Sequence, residues 1–275
     1  MSSAQLVITQ QRFFYRRQRL IKSLILLALS GLLVISFIWD LSSGPSSYGL
    51  LEVGACLVDC PDPKLDLILW QIRMPIALIA ILVGAMLACA GAQMQTILNN
   101  PLADPFTLGI SAAAAFGAAL TFVLDWAVLP VAGIYIVSVN AFLFAMLSAL
   151  VLFAISKMRG VGYQTLVLAG IALMFSFNAL LAFLQYIASE DALQQLVFWT
   201  LGSLARASFE KVMICLVVLL SMLFFFFRYR DQLTALRFGD EQARSMGVNV
   251  DKLRLLSLLA CALLASVAVA FVGTI

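Results

Sequence analysis

Histidine is missing from this chain altogether, and only 11% of its 275 residues are charged. Without histidine a zinc site would have to rest on cysteine and carboxylate alone, which removes the usual metal-centre readings. The charge deficit goes further. A water-soluble domain carries roughly twice that charged fraction, so lipid has to be the solvent for most of the chain. No phosphate loop of the form G-x-x-x-x-G-K-[ST] occurs, so the chain is not itself an ATPase; no catalytic residue and no cofactor is expected. Nor does any long apolar run hold a carboxylate, lysine or arginine near its centre. Such groups are costly in lipid and functional by default. Their absence puts the energy source elsewhere, although sodium sites built from backbone carbonyls and hydroxyls escape that argument.

Apolar sequence is abundant: 63% of residues are hydrophobic and the mean hydropathy is +1.05. Runs of about 18 or more nearly charge-free residues lie at 20–39, 75–98, 107–124, 128–155, 163–188, 209–227 and 254–275, each long enough to cross a hydrocarbon core of about 30 Å. The first follows a basic stretch at 12–22, but its length of about 19 residues and the lack of a small-residue cleavage site make it an uncleaved span rather than a signal peptide. Lysine and arginine set the orientation. With the N-terminus inside, the inner segments hold Arg12, Arg16, Arg17, Arg19, Lys22, Lys157, Arg159, Arg228, Arg230, Arg237, Arg244, Lys252 and Arg254, thirteen of the 17 basic residues. The outer segments hold Lys64, Arg73, Arg206 and Lys211. This asymmetry accounts for the net charge of +3 without a nucleic-acid partner.

The outer loop at 40–71 is irregular by its serine, glycine and proline content at 42–47, Pro61 and Pro63. It carries Cys56 and Cys60, a possible disulfide if the compartment is oxidising. Cys89, Cys215 and Cys261 lie in apolar runs as packing residues, and Trp39 and Trp70 flank the loop as interface anchors.

Three segments invite a closer reading. In GAMLACAGAQMQ, Gly84, Ala88 and Gly91 recur at i, i+4 and i+7, leaving one helical face nearly bare, with Gln93 and Gln95 following at the inner end. That face reads equally as helix packing and as the lining of a translocation path. In NNPLADPFTLGIS, Pro101 and Pro105 forbid a continuous helix, so the stretch is a structured turn in which Asp104 or Thr107 can cap the next helix. The inner segment 228–254 is too long for a simple turn. Within it LRFGDEQARSMG reads as a short helix from Asp240 to Met246, capped by Asp240 and stopped by Gly247. It either docks on a partner, lies in the headgroups or presents a solvated charged face.

These segments, with VLAGIALMFSFNALLAFLQY at 167–186 and VFWTLGSL at 197–204, come in the order and spacing of a known family. The chain resembles the FecCD/BtuC-like permease subunits of ferric-siderophore, haem and vitamin B12 ABC importers, the type II importers. RMPIALIAILVGAMLACAGAQMQTILNNPLADPFTLGIS at 73–111 and LRFGDEQARSMGVNVDKLRLL at 236–256 carry the likeness most specifically. The resemblance implies an all-α polytopic membrane fold of about ten helices per subunit, of which about seven are present. The family continues beyond GTI with a glycine-rich run, a Pro-His motif and about three more helices, so residues 1–275 form a single, incomplete permease domain. The resemblance further implies a second permease subunit, as homo- or heterodimer, with the substrate path at their interface. Gly84, Ala88, Gly91, Gln93, Gln95, Asn100, Pro101, Asp104 and Pro105 are the path and packing residues. It implies a cytoplasmic ATP-binding subunit that receives the segment 228–254 as coupling helices, through Gly239, Asp240, Glu241, Ala243, Arg244 and Gly247. It also implies a periplasmic binding protein whose acidic residues meet permease arginines. Arg73 matches the first arginine of the family's R-x-P-R pattern, the second position here is Ile76, and Arg206 is a further candidate.

The leading expectation is therefore a permease that carries an iron–siderophore complex across the bacterial inner membrane, driven by a partner ATPase. Haem or cobalamin is the alternative cargo. An ion-coupled secondary transporter is the alternative mechanism, and a non-transporting membrane scaffold a third reading.

Overall fold

The computed structural model describes residues 3–43, 48–56, 60, 62–129, 133, 135–158 and 163–274. Pro61, Arg159 and most of the 42–47 stretch fall outside them. Among the described residues there are twelve α-helices and no strand, divided into two units, Met1–Ala77 and Leu78–Ile275.

In the first unit α1 (Ser3–Ser42) carries no charge between Lys22 and Asp40, and its stretch Arg16–Ser42 is long and apolar enough to cross a membrane. It ends where the Ser42 hydroxyl donates to the Trp39 carbonyl at 2.9 Å and Arg73 donates to the Leu41 carbonyl at 2.7 Å. Two short helices follow, α2 (Leu50–Cys56) and α3 (Pro63–Leu67). Asp62 caps α3 by accepting the Lys64 amide at 2.9 Å, and Pro63 takes the first helical position, where its missing N–H costs nothing. Residues Ile68–Arg73 then widen into a π-helical turn before α4 (Met74–Ile97). Pro75 explains the widening: it offers no N–H to the Gln71 carbonyl, and its ring crowds that carbonyl, so the ladder opens just upstream.

The second unit packs through small side chains. In lipid, helices gain little by burying apolar area from each other and associate by close contact, which small residues permit. Helix α5 (Ile110–Leu124) buries Ser111, Ala112, Ala113, Ala114, Ala115, Gly117, Ala118 and Ala119. It packs against α6 (Ile136–Ser156), α7 (Tyr163–Ile187), α8 (Glu190–Thr200) and α12 (Val250–Val272). Helix α12, buried along most of its length, also meets α6 and α9 (Phe209–Arg228).

Among the described residues six helical stretches are long and apolar enough to span a membrane, and they match six of the seven expected runs. The exception is the run 107–124. Helix α5 has 15 residues, about 22 Å of length, because tertiary contacts set both of its ends. Gly109 sits at φ +75°, and a Cβ placed on it would lie 2.9 Å from the Met174 amide nitrogen, so the chain is pinned to the α7 backbone until Ile110. Asp125, at φ +49°, closes the other end. A short helix is tolerated here because protein rather than lipid covers it. In the run from 128, α6 begins at Ile136, and its buried Asn140 accepts the Val128 amide at 2.9 Å and donates to the Trp126 carbonyl at 3.0 Å. The last run stops at Val272, where Gly273 turns at φ +93° and presses against the Trp199 carbonyl. Helix α8 was not foreseen as a separate element, although Ser189 as N-cap with Glu190 and Asp191 in the first turn is a readable start signal.

Asn140 also reaches the Gly117 carbonyl at 3.2 Å and Thr121 Oγ1 at 2.9 Å, tying α5 to α6. Asn140→Leu strands these buried partners and is expected to cost about 2–3 kcal/mol. Thermal unfolding of the purified protein in detergent, followed by size-exclusion chromatography, checks it.

Candidate functional site

At one end of the second unit the chain leaves α9 into α10 (Arg230–Leu236), turns into α11 (Asp240–Ser245) and re-enters as α12. Leu233, Leu236, Ala243, Val250 and Leu253 are buried and form the floor of this assembly. Gly239 at φ +103° makes the turn and is the N-cap of α11. Asp240 is therefore the first helical residue, not the expected cap; its carboxylate caps no backbone amide and is engaged by Arg254 instead. The C-terminal end is as expected. Gly247 at φ +82° donates to the Arg244 carbonyl at 2.9 Å and Val248 to the Ala243 carbonyl at 3.1 Å, the paired bonds of a Schellman motif. Asn249 caps α12 by accepting the Lys252 amide at 3.0 Å.

The six residues of α11 thus hold their shape through their surroundings, since an isolated helix so short is unstable. Arg254 Nη2 meets Asp240 Oδ1 at 2.8 Å, Nη1 meets Oδ2 at 3.2 Å, and Nε donates to the Ile97 carbonyl at 3.1 Å. Arg244 pairs with Asp251 at 3.3 Å in the open. The outward surface presents Glu241 and Arg244 between two large apolar side chains, Phe238 at 63% exposure and Met246 at 61%. Phe238, Met246 and Arg254 were not singled out from the sequence. Fourteen residues separate Asp240 from Arg254, and no local periodicity signals such a pair.

The NPLADP turn lies at the same end, as the link between α4 and α5. Asn100 Oδ1 accepts the Leu102 amide at 3.0 Å. Asp104 Oδ1 accepts the Thr107 amide at 2.7 Å, and the Thr107 hydroxyl donates back to the Asp104 carbonyl at 2.9 Å. Neither residue caps α5, whose N-cap is Gly109; the Asp104–Thr107 pair closes the turn before it. Pro101 and Pro105 sit in this turn, and Leu108 is buried over Gly170, where an added Cβ would lie 2.9 Å from the Leu108 Cα. The loop is a clamped platform with Leu102 and Phe106 facing outward.

Along α4, Gly84 and Ala88 are exposed and Gly91 is half-buried. A Cβ at Gly84 or Gly91 would meet nothing within 4 Å among the described residues. The bare face is real, and among the described residues no helix fills it at those glycines. Gln95 is exposed, while Gln93 lines an open groove with Cys89, Leu223, Phe224, Phe226 and Phe227.

The opposite end of the second unit carries Arg206, exposed on a short 3-10 turn (Leu204–Arg206), its carbonyl accepting from Lys211 Nζ at 2.7 Å. Nearby in sequence Glu210 accepts the Tyr135 hydroxyl, and this bond raises the tyrosine's pKa. Arg73 belongs to the first unit. It is only 8% exposed and spends a guanidinium N–H on the end of α1. In the same unit Cys56 and Cys60 are joined as a disulfide, with Asp66 close by, and the Tyr48 hydroxyl donates to Asp62 at 3.1 Å.

Residues 32–275 match the FecCD transport family. An ABC transporter permease protein of Methanocaldococcus jannaschii is 35% identical over 98% of this chain and 78% of its own length. The hemin transport system permease protein HmuU of Yersinia pestis is 35% identical over 74% of this chain and 61% of its own length. A solved structure of a metal-chelate type ABC transporter in an inward-facing conformation superposes with a TM-score of 0.78 at 30% identity, covering 91% of this chain and 76% of that one. Other relatives are named for vitamin B12 import in Serratia proteamaculans and molybdate import in Haemophilus influenzae.

Proposed function

The chain belongs to the FecCD transport family of ABC importer permeases, and from that premise we propose that it moves an iron–siderophore complex through the bacterial inner membrane while a partner ATPase supplies the energy. The observation that carries this reading is the exposed surface of α11, with Phe238 and Met246 beside Glu241 and Arg244. In this reading that surface, held in shape by Gly239, Asp240, Ala243 and Gly247, docks on a cytoplasmic ATP-binding subunit. The basic residues then put the N-terminus and the α11 end inside.

A second permease subunit covers the bare α4 face at Gly84, Ala88 and Gly91, and the path runs between the two copies, past Gln95 and the Asn100–Pro105 platform. Docking of a periplasmic binding protein falls to Arg206, because Arg73 is engaged at the end of α1. Cys56 and Cys60 are then oxidised in the periplasm. Relatives are named for hemin, vitamin B12, molybdate and iron chelatin transport, so cargo rests on family frequency and is the part to test first.

The permease reconstituted in proteoliposomes with its ATPase and binding protein is expected to accumulate a 55Fe-loaded hydroxamate siderophore only with ATP, and to continue when an ionophore collapses the ion gradients. Accumulation of haem, cyanocobalamin or molybdate in its place would overturn the cargo. Uptake that ignores ATP and collapses with the ionophore would overturn the mechanism.

A further inference from the structure

Three ion pairs are formed among the described residues, and two of them, Arg230–Asp231 and Arg244–Asp251, lie open to solvent, where such pairs contribute little. The third differs in kind. The Arg254 side chain is 14% exposed and makes a two-pronged contact with Asp240, at 2.8 and 3.2 Å. Its Nε donates to the Ile97 carbonyl, 3.1 Å away. Ile97 is the last residue of α4, so this carbonyl is one of those a helix leaves without an internal partner. Asp240 is the first residue of α11, and Arg254 stands in the first turns of α12.

One planar, rigid guanidinium therefore fastens three helix ends together. A simple helix cap needs only the bond to Ile97, and a surface ion pair needs only the carboxylate. Using both ends of one fork means that α11 cannot shift relative to the membrane helices without pulling on the end of α4, because the donors of an arginine are fixed in one plane. A lysine at this position keeps the charge but lacks the planar fork, so it cannot reproduce the two-pronged contact with Asp240 together with the fixed direction toward Ile97.

We propose that Arg254 is the strut that carries displacement of α11 into the inner end of α4, and through it to the α4 face that bears Gly84, Ala88 and Gln95. It is a positioning residue: it touches neither nucleotide nor cargo. The inference rests on the reading of α11 as the ATPase-docking element, and it adds the route by which docking reaches the path.

The test uses the permease–ATPase complex with a nitroxide-bearing unnatural amino acid at Gln95 in both permease copies. The distance between the labels is measured by pulsed electron spin resonance without nucleotide and with ATP plus vanadate. Wild type is expected to show a nucleotide-dependent shift. Arg254→Lys, which keeps a cation beside Asp240, is expected to retain the ATPase yet lose the shift; Arg254→Ala is expected to lose the shift in the fraction that retains the ATPase, and Asp240→Asn to lose part of it. Adding Asp240→Asn to Arg254→Ala should change nothing further, since both act through one link. A full shift in Arg254→Lys with the ATPase bound would overturn the strut, as would additive losses in the double variant. Should Arg254→Ala fail to fold, Arg254→Lys and Asp240→Asn decide alone. If the wild-type permease holds no ATPase, the docking reading itself has failed, an outcome separate from loss of the strut.

Discussion

Phe238→Asp combined with Met246→Asp is expected to abolish co-purification with the ATP-binding subunit and to lower ATP-dependent uptake by about a hundredfold or more, while the permease itself stays folded. The size follows from the kind of surface involved. Buried anchors at the centre of an interface cost about 2 kcal/mol or more each when removed, and 1.4 kcal/mol is a factor of ten in affinity. Two such losses exceed a hundredfold. Folding should survive because both side chains are largely exposed, at 63% and 61%, and the residues that shape α11 are elsewhere: buried Ala243, Gly239, Gly247 and Arg254. An aromatic ring and a thioether fit an anchoring role, methionine adapting to irregular partner surfaces. Asp240 makes a poor probe of the same surface. Its carboxylate belongs to the Arg254 contact, so reversing its charge disturbs α11 and α12 together with any docking. Unchanged co-purification in the Phe238 and Met246 double variant would show that the ATPase does not bind here. If the pair instead inserts into lipid headgroups, the variant keeps its ATPase and loses affinity for vesicles, which separates the two uses of an exposed apolar pair.

The difference between what could be read from the residues and what could not has a physical origin. Membrane spans were legible because charge is expensive in lipid, so the gap from Lys22 to Asp40 or the run from Phe209 to Phe227 declares itself residue by residue. The Schellman stop at Gly247 was legible for a similar reason: it needs only local backbone freedom at one position. What failed to show were features decided by a distant partner. Asp240 looks like an N-cap until Arg254 draws it aside, and Asp104 and Thr107 look like caps for α5 until Gly109, wedged against α7, delays that helix. Arg73 matches a docking pattern, yet its guanidinium donates to the Leu41 carbonyl 32 residues back. Glycine is the clearest case. Spacing marked Gly84 and Gly91 as points of close approach, whereas among the described residues an added Cβ would meet backbone closely at Gly109, Gly117, Gly170, Gly202 and Gly273. Spacing says which face is bare, and only the neighbouring helix says whether anything fills it.

That distinction makes a paired experiment with large and opposite outcomes. A Cβ at Gly117 would stand 2.6 Å from the Asn140 carbonyl oxygen and 3.0 Å from both its carbonyl carbon and the Phe144 Cβ. Two of these three are backbone atoms, which cannot turn aside as a side chain does, so even Gly117→Ala must part α5 from α6. Overpacking of this kind costs about 1–3 kcal/mol. Parting the helices also lengthens the bond from Asn140 to the Gly117 carbonyl, now 3.2 Å. Gly117→Leu adds three more carbons at the same point and should exceed that range, leaving little monodisperse protein after extraction into detergent. At Gly84 an added Cβ would meet nothing within 4 Å among the described residues, so Gly84→Leu should extract, chromatograph and melt like wild type. Where Gly84 faces a second permease copy, as proposed, the same leucine should instead prevent cross-linking of the two copies and stop uptake. A Gly84→Leu permease that still dimerises and transports would mean that this face is turned to lipid, and a Gly117→Leu permease of normal stability would mean that α5 and α6 do not cross there.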